Sequence, residues 1–357
     1  MNAKSSNYFE VYDSLKPSEG VPNFQMNRPI TPNIIKGELG IELEIEATTR
    51  LPRDGDLGNL VAPNTKARWV AITDGSLRGE SREYIVNVPI FEKEVEHMLY
   101  GLFDIFKEHK VVLNNSNRCS THVHYNMKGA LINELTSIII LWGTFEDYFI
   151  KMNGEERVSN HFCLPIRSTK GTIKAWDSFL RYGSLDIGRE LKYSSLNLLP
   201  IFDKGSIEFR CGAAADEADS TFKWIKFLYA FSTYARKTYN NPFLIAHDMS
   251  ERGAYRILKA ITDTDTDTLG DEYLNKICDG QSENEVNDTC LAAFRDVQSL
   301  ALGFPWEAWL PLINKEYVPN PFDEAPKKKP PLLRNEIIAD DFRIDAVLQG
   351  AGQTANR

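Results

Sequence analysis

The chain has 357 residues, 42% of them hydrophobic, enough for one large domain or two ordinary ones around a sizeable core. A formal net charge of −9 argues against a nucleic-acid binder, which usually presents a basic face, and the longest strongly apolar run, Ile138–Trp142, is far too short to span a bilayer. Five cysteines, at 119, 163, 211, 278 and 290, include no Cys-x-x-Cys pair, which weighs against a disulfide framework or structural zinc and favours a reducing cytoplasm.

Residues 1–36 are polar, carry Pro22, Pro29 and Pro32, and read as an extended arm. Met1–Tyr8 lacks the apolar run of a secretory leader. Residues 38–47 contain Gly40-Ile41-Glu42-Leu43-Glu44-Ile45-Glu46, a strict alternation that predicts a strand with the glutamates on one face. A loop over 50–66 precedes a predicted hairpin, Trp69–Thr73 and Glu83–Val88, around the turn sequence Asp74-Gly75-Ser76. Apolar residues at helical spacing predict helices over 91–109, 130–151 and 217–239, with a shorter one over 173–182. Strands are predicted over 119–127, 191–202 and 206–211, the last two joined by Asp203-Lys204-Gly205.

Short connections and the lack of a repeating βαβ rhythm point to an α+β fold: a mainly antiparallel sheet with helices packed on it. The chain divides into the arm 1–36, this mixed region over 37–242, a helical C-terminal extension over 243–318, and a Pro/Lys-rich linker and tail over 319–357 around Lys327–Lys329.

Four stretches carry chemistry. The acidic strand places like charges about 7 Å apart, which calls for water or a cation. Asp74-Gly75-Ser76-Leu77 is followed by Glu83. Cys119-Ser120-Thr121-His122-Val123-His124 puts two of six histidines on one strand face, as ligands or as packed, hydrogen-bonded side chains. Glu208 and Arg210 share a face in Ser206–Arg210, either as a surface pair or as a ligand beside a phosphate clamp. Oxygen ligands with imidazole suit Mg²⁺ or Mn²⁺, and such ions with an arginine are the equipment of phosphoryl transfer. The sequence has no Walker A motif and no Gly-x-Ser-x-Gly elbow.

In that order, Gly-x-Glu-x-Glu, Asp-Gly-Ser-Leu with a following Glu, Cys-x-x-His-Val-His, Leu-Asn and x-Glu-Phe-Arg resemble the amidoligase family of bacteria and phages, over roughly residues 37–240. That family belongs with the carboxylate–amine ligases that include glutamine synthetase and glutamate–cysteine ligase. The resemblance implies a curved antiparallel sheet, like the glutamine synthetase catalytic domain, whose concave face holds ATP and divalent metal. It implies an ATP-dependent amide ligase acting through an acyl phosphate, with small-molecule or peptide carboxylate and amine substrates.

Carried over by position, Glu42, Glu44, Glu83, His122 and Glu208 become metal ligands. Arg210 contacts phosphate and joins Glu83 and His124 in catalysis. Asn197, Lys192 and Arg189 lie near nucleotide, while Glu46 is a bystander. Two positions depart from the family pattern, Ser120 for a common Gly and Asn87 for a common Ser, and neither is expected to touch the ligands.

Two other readings stay open: phosphotransfer to a guanidino group, and a catalytically inactive binding or assembly protein that retains the fold. The run Thr262–Thr268 resembles the start of a calcium loop, but Thr268 and Leu274 stand where that loop needs Gly and Glu. Cys119 is expected to be an inert thiol raised by neighbouring acids. The aromatics over 222–234 are expected in a helix core.

Overall fold

The alternation in the acidic stretch becomes β1, Leu39–Ala47, and the rest of the sheet is laid out from it. The computed structural model describes residues 37–127, 130, 132–168, 192–200, 204–239 and 243–301. The arm, the predicted helix over 173–182, Arg189, the extension beyond 301 and the Pro/Lys-rich tail lie outside them. The strands are β2 (Trp69–Ile72), β3 (Glu80–Val86), β4 (Thr121–Asn126), β5 (Leu196–Asn197) and β6 (Ser206–Gly212). They form one six-stranded sheet of order β2-β3-β1-β4-β6-β5, and every neighbouring pair is antiparallel. The predicted hairpin is present as β2 and β3.

Seven helices pack on this sheet among the described residues. They are α1 (Val95–Glu108), α2 (Ile132–Met152), α3 (Ala218–Thr238), α4 (Phe243–Glu251), α5 (Ala254–Thr262), α6 (Gly270–Cys278) and α7 (Glu283–Ala301). The odd-numbered residues of β1, namely Leu39, Ile41, Leu43 and Ile45, are fully or almost fully buried. Neighbouring strands present their apolar residues the same way. Tyr84 meets Phe106 of α1 edge-on at 5.2 Å, and Phe209 meets Trp142 of α2 at 4.7 Å between ring centroids. The core continues through Ile257, Ile261 and Phe294, so the helical extension shares it. As expected, aromatics of α3 enter the core: Trp224, Phe227 and Phe231 are buried, while Phe222, Tyr229 and Tyr234 are half-buried and pack against it. No helix of the described residues is long and apolar enough to cross a membrane.

Of the predicted strand over 191–202, residues 192–200 are described, and among them Leu196 and Asn197 form the strand. Lys192 and Tyr193 lie in a tight turn, Ser194 makes only an isolated bridge to Leu164, and the chain turns helical at Pro200. Among the described residues β5 is an edge strand that pairs with β6 alone, and Pro200, which has no N–H to donate, is tolerated just beyond it. Gly205 has φ of 72°, the conformation that favours glycine in the turn feeding β6.

Trp142 ties helix to sheet. Its ring packs between Phe149 and Phe209, and Nε1 donates to Ser195 Oγ at 3.0 Å. Trp142→Ala is expected to cost about 3–5 kcal/mol, the range for deleting a buried aromatic. Urea unfolding should show it as a lower midpoint with an unchanged slope.

Candidate metal and phosphate centre

The face opposite the helices is lined by acids and imidazoles. The register places Glu44 against Glu83, Glu42 against His122, and His124 against Glu208, which is itself opposite Asn197. Gly40 pairs with His124, and a Cβ there would come within 3.2 Å of the histidine Cβ, so the glycine of Gly-x-Glu-x-Glu gives the imidazole room. Between the pairs Thr121–Gly212 and Val123–Phe209, β6 advances one residue further than β4. This bulge lies beside Arg210, in keeping with the frequent placement of bulges next to sites.

The solvated-face reading of the glutamates fails. Glu44 and Glu46 are buried and Glu42 is half-buried. They also separate in role. Glu46 accepts backbone N–H bonds from Arg78 at 2.7 Å and Ser116 at 3.2 Å, so it pins two loops and does not line the cleft. Glu42 and Glu44 line a cleft of about 510 Å³ with Glu83, His122, His124, Asn197, Lys192, Glu208 and Arg210. The sheet thus gathers every described residue to which the resemblance assigns a role in metal, nucleotide or catalysis.

Glu42 is the hub. Glu42, Glu83 and His122 each bring one ligand atom within 4.8 Å of the others, and Glu42, His124 and Glu208 do the same. Glu42 Oε1 accepts from His124 Nε2 at 3.0 Å, and Lys204 Nζ approaches the same oxygen at 3.5 Å. Glu44 lies outside both triads. Its Oε2 accepts from the Ser120 hydroxyl at 2.5 Å and sits 3.8 Å from His122 Nε2. Ser120 therefore touches the ligand set, against expectation. Asn87 instead exchanges bonds with the backbone of Arg68. Glu208 accepts from Asn197 Nδ2 at 2.6 Å and pairs with the Arg210 guanidinium.

One atom tests whether a cation fits. His122 Nδ1 is buried and makes no hydrogen bond, yet it lies 3.6 Å from Glu42 Oε2 and 3.5 Å from Glu208 Oε1. Mg²⁺ holds ligands at about 2.1 Å, so adjacent ligands around it lie about 3 Å apart. These gaps exceed that by about half an ångström, a small side-chain adjustment. The donor set of carboxylates and imidazole suits Mg²⁺ or Mn²⁺.

The electrostatics agree. Burial would raise Glu42, but the hydrogen bond from His124 and the closeness of the His122 imidazole outweigh it and hold the carboxyl far below its ordinary range. Burial likewise opposes ionisation of Glu208, and Arg210, then His122 and His124, lower it. Glu83 goes the other way, pushed up to about 8 by burial and by the charges of Glu42, Glu44 and Asp74. Burial, helped by Glu46 and Glu44, lifts the Cys119 thiol to about 12, so it is no nucleophile near neutrality.

The sign of the Glu83 effect is definite. The folded chain keeps a proton that the unfolded chain releases in the ordinary carboxylate range. The stability this carries is complete below that range and is lost as pH rises through about 8. Without metal, the urea midpoint should fall from the ordinary carboxylate range up to about pH 8 and level off above it, and Glu83→Gln should flatten the fall. Mn²⁺ binding near neutrality should release a proton, seen by calorimetry in buffers of different ionisation enthalpy.

Sequence reasoning missed part of the cleft wall. Arg118 donates to Ser76 O at 2.8 Å, and Phe162 and Tyr193 meet edge-on at 5.9 Å. With Lys204 they come from loops without periodicity, although Arg118 directly precedes the Cys119 motif. No protein-family model matches the chain, and no curated protein matches it.

Proposed function

We propose that this chain is an ATP- and Mg²⁺-dependent carboxylate–amine ligase whose sheet is the curved platform of a glutamine synthetase-like catalytic domain. The observation that carries this reading is the unpartnered His122 Nδ1 facing Glu42 and Glu208, with the Arg210 guanidinium beside them. Glu42, Glu83 and His122 would hold one Mg²⁺ or Mn²⁺ ion, and Glu42, His124 and Glu208 a second, with Glu44 alongside. Bound there, such ions supply positive charge to phosphate oxygens.

The chain's own residues do the rest. Arg210 lies on Glu208 at the cleft face, where its remaining donors can meet the transferring phosphoryl group. Asn197 holds the other Glu208 oxygen and fixes that carboxylate. Lys204 and Lys192 add cationic charge at the cleft for the triphosphate, and Arg189 belongs to the same proposal. Glu83 would give up its proton when a cation binds, and as a carboxylate beside the ion it could accept the proton that the attacking amine must lose. In the reaction the acid carboxylate takes the γ-phosphoryl of ATP, giving ADP and an acyl phosphate, and the amine then displaces phosphate to leave an amide. Carboxylates need this activation because oxide is a poor leaving group.

The five buried free thiols suit a reducing cytoplasm. The decisive assay is ADP release from purified protein across a panel of paired carboxylates and amines. We expect release to require Mg²⁺, an acid and an amine. A phosphorylated guanidine as product would replace this reading with phosphotransfer, and failure to bind ATP–Mg²⁺ at all would leave a non-catalytic protein.

A further inference from the structure

We propose that Ser120 is a positioning residue that links Glu44 to His122 and fixes the imidazole with its Nδ1 lone pair turned toward Glu42 and Glu208. The inference rests on the reading of the cleft as a metal site and extends it to a residue that touches no metal.

Ser120 Oγ lies 2.5 Å from Glu44 Oε2 and 2.6 Å from His122 Nε2. All three side chains are buried, so water does not substitute for either bond. A hydroxyl has one proton to give, and an ionised carboxylate only accepts. The Ser120 proton therefore goes to Glu44. The short contact to His122 can then be a hydrogen bond only if Nε2–H donates to Ser120 Oγ. A neutral imidazole protonated on Nε2 carries its lone pair on Nδ1. That is the atom left without a partner between Glu42 Oε2 and Glu208 Oε1.

A lone pair aimed at two carboxylate oxygens repels them, whereas a cation among the three would attract all of them. The arrangement is the familiar carboxylate–histidine–metal support with a serine hydroxyl inserted between acid and ring. It gives Glu44 a role from outside both ligand triads, through Ser120, with its second oxygen still free to face the cleft. The backbone holds the relay in place. Ser120 O accepts from Glu44 N at 3.0 Å, so donor and acceptor side chains spring from paired positions. Two-residue spacing puts Ser120, His122 and His124 on one face. His124 differs, for both of its nitrogens have partners, with Ser206 Oγ 3.1 Å from Nδ1 and Glu42 Oε1 3.0 Å from Nε2.

The test uses the full chain and two readouts. Mn²⁺ titration by calorimetry should show Ser120→Ala binding about 10–100-fold more weakly than the unsubstituted chain, the usual loss when a ligand's outer partner is removed. Long-range ¹H–¹⁵N spectra of the metal-free protein, with His122 assigned from the spectrum of His122→Gln, should show a proton on Nε2 and none on Nδ1. In Ser120→Ala that preference should be lost, a change that a merely structural serine would not produce. Tight Mn²⁺ binding retained within twofold in Ser120→Ala overturns the relay and leaves the metal site standing. A proton on Nδ1 in the unsubstituted protein overturns the relay whatever the metal result. If the unsubstituted chain binds no Mn²⁺, the metal reading fails, while the tautomer measurement still decides the hydrogen-bond relay.

Discussion

Glu42→Ala should lower Mn²⁺ affinity by about 10³-fold or more, equivalent to about 4 kcal/mol of binding free energy. No other side chain in the cleft is expected to cost as much, because Glu42 belongs to both ligand triads. Losing any other member leaves one triad whole. The chemistry of Glu42 points the same way. Its carboxyl stays ionised despite burial because His124 hydrogen-bonds to it and the His122 imidazole lies 3.6 Å away. It is thus a ready anion near neutrality. Calorimetry with Mn²⁺ gives the affinity directly. Glu42→Gln, which keeps the shape and loses the charge, should lose nearly as much. Circular dichroism should show both variants folded, since Ile41 and Leu43 on the opposite face of β1 hold the strand in the core. Retention of Mn²⁺ affinity within tenfold in Glu42→Ala would falsify the two-triad arrangement.

How much of this could be read from the sequence depends on how local the cause is. Alternation in β1 and the helical spacing in α1, α2 and α3 are local, and each element formed within a few residues of its predicted bounds. Pairing length is not local. The residues around β5 alternate well enough to suggest a long strand, yet among the described residues Leu196 and Asn197 alone pair with β6, at an edge position close to Pro200. The error on β3 is the converse. Glu80, Ser81 and Arg82 have weak strand preference, but β1 supplies partners for all three, and β3 begins at Glu80.

The site divides in the same manner. Two-residue spacing shows which residues share a face, so Glu42, Glu44, His122, His124, Glu208 and Arg210 were legible. Spacing carries no distances, so it could not separate Glu46, which bonds the backbone at Arg78 and Ser116, from Glu42, which holds the imidazoles. Nor could it show that Ser120 lies within hydrogen-bond reach of both Glu44 and His122, although extending the His-x-His spacing back one step marks the residue. Arg118, Phe162 and Lys204 reach the cleft only because separate loops converge there.

Arg210→Ala should separate binding from chemistry. Turnover is expected to fall about 10³-fold, the scale set by removing an arginine that stabilises a transferring phosphoryl group. Mn²⁺ affinity should stay within about tenfold. The two differ because Arg210 is the neighbour of a ligand and not a ligand itself. Its removal leaves Glu208 with Asn197 Nδ2 at 2.6 Å and with His122 and His124 nearby, so the carboxylate stays in place. Its pKa should rise, since Arg210 is the largest of the charges that lower it, and a proton will then compete somewhat better with the ion. The loss of affinity should therefore be greater in mildly acidic buffer than near neutrality. Arg210→Lys restores a charge without the planar fork, and its turnover should lie between the two. Steady-state ADP release gives turnover and the KM for ATP, and calorimetry gives the metal affinity on the same preparations. A guanidinium acting on the phosphoryl group in flight lowers kcat more than it raises KM, whereas one that only anchors ground-state ATP does the reverse. Turnover within tenfold of the unsubstituted chain in Arg210→Ala would remove Arg210 from the proposed chemistry and leave it as the structural partner of Glu208.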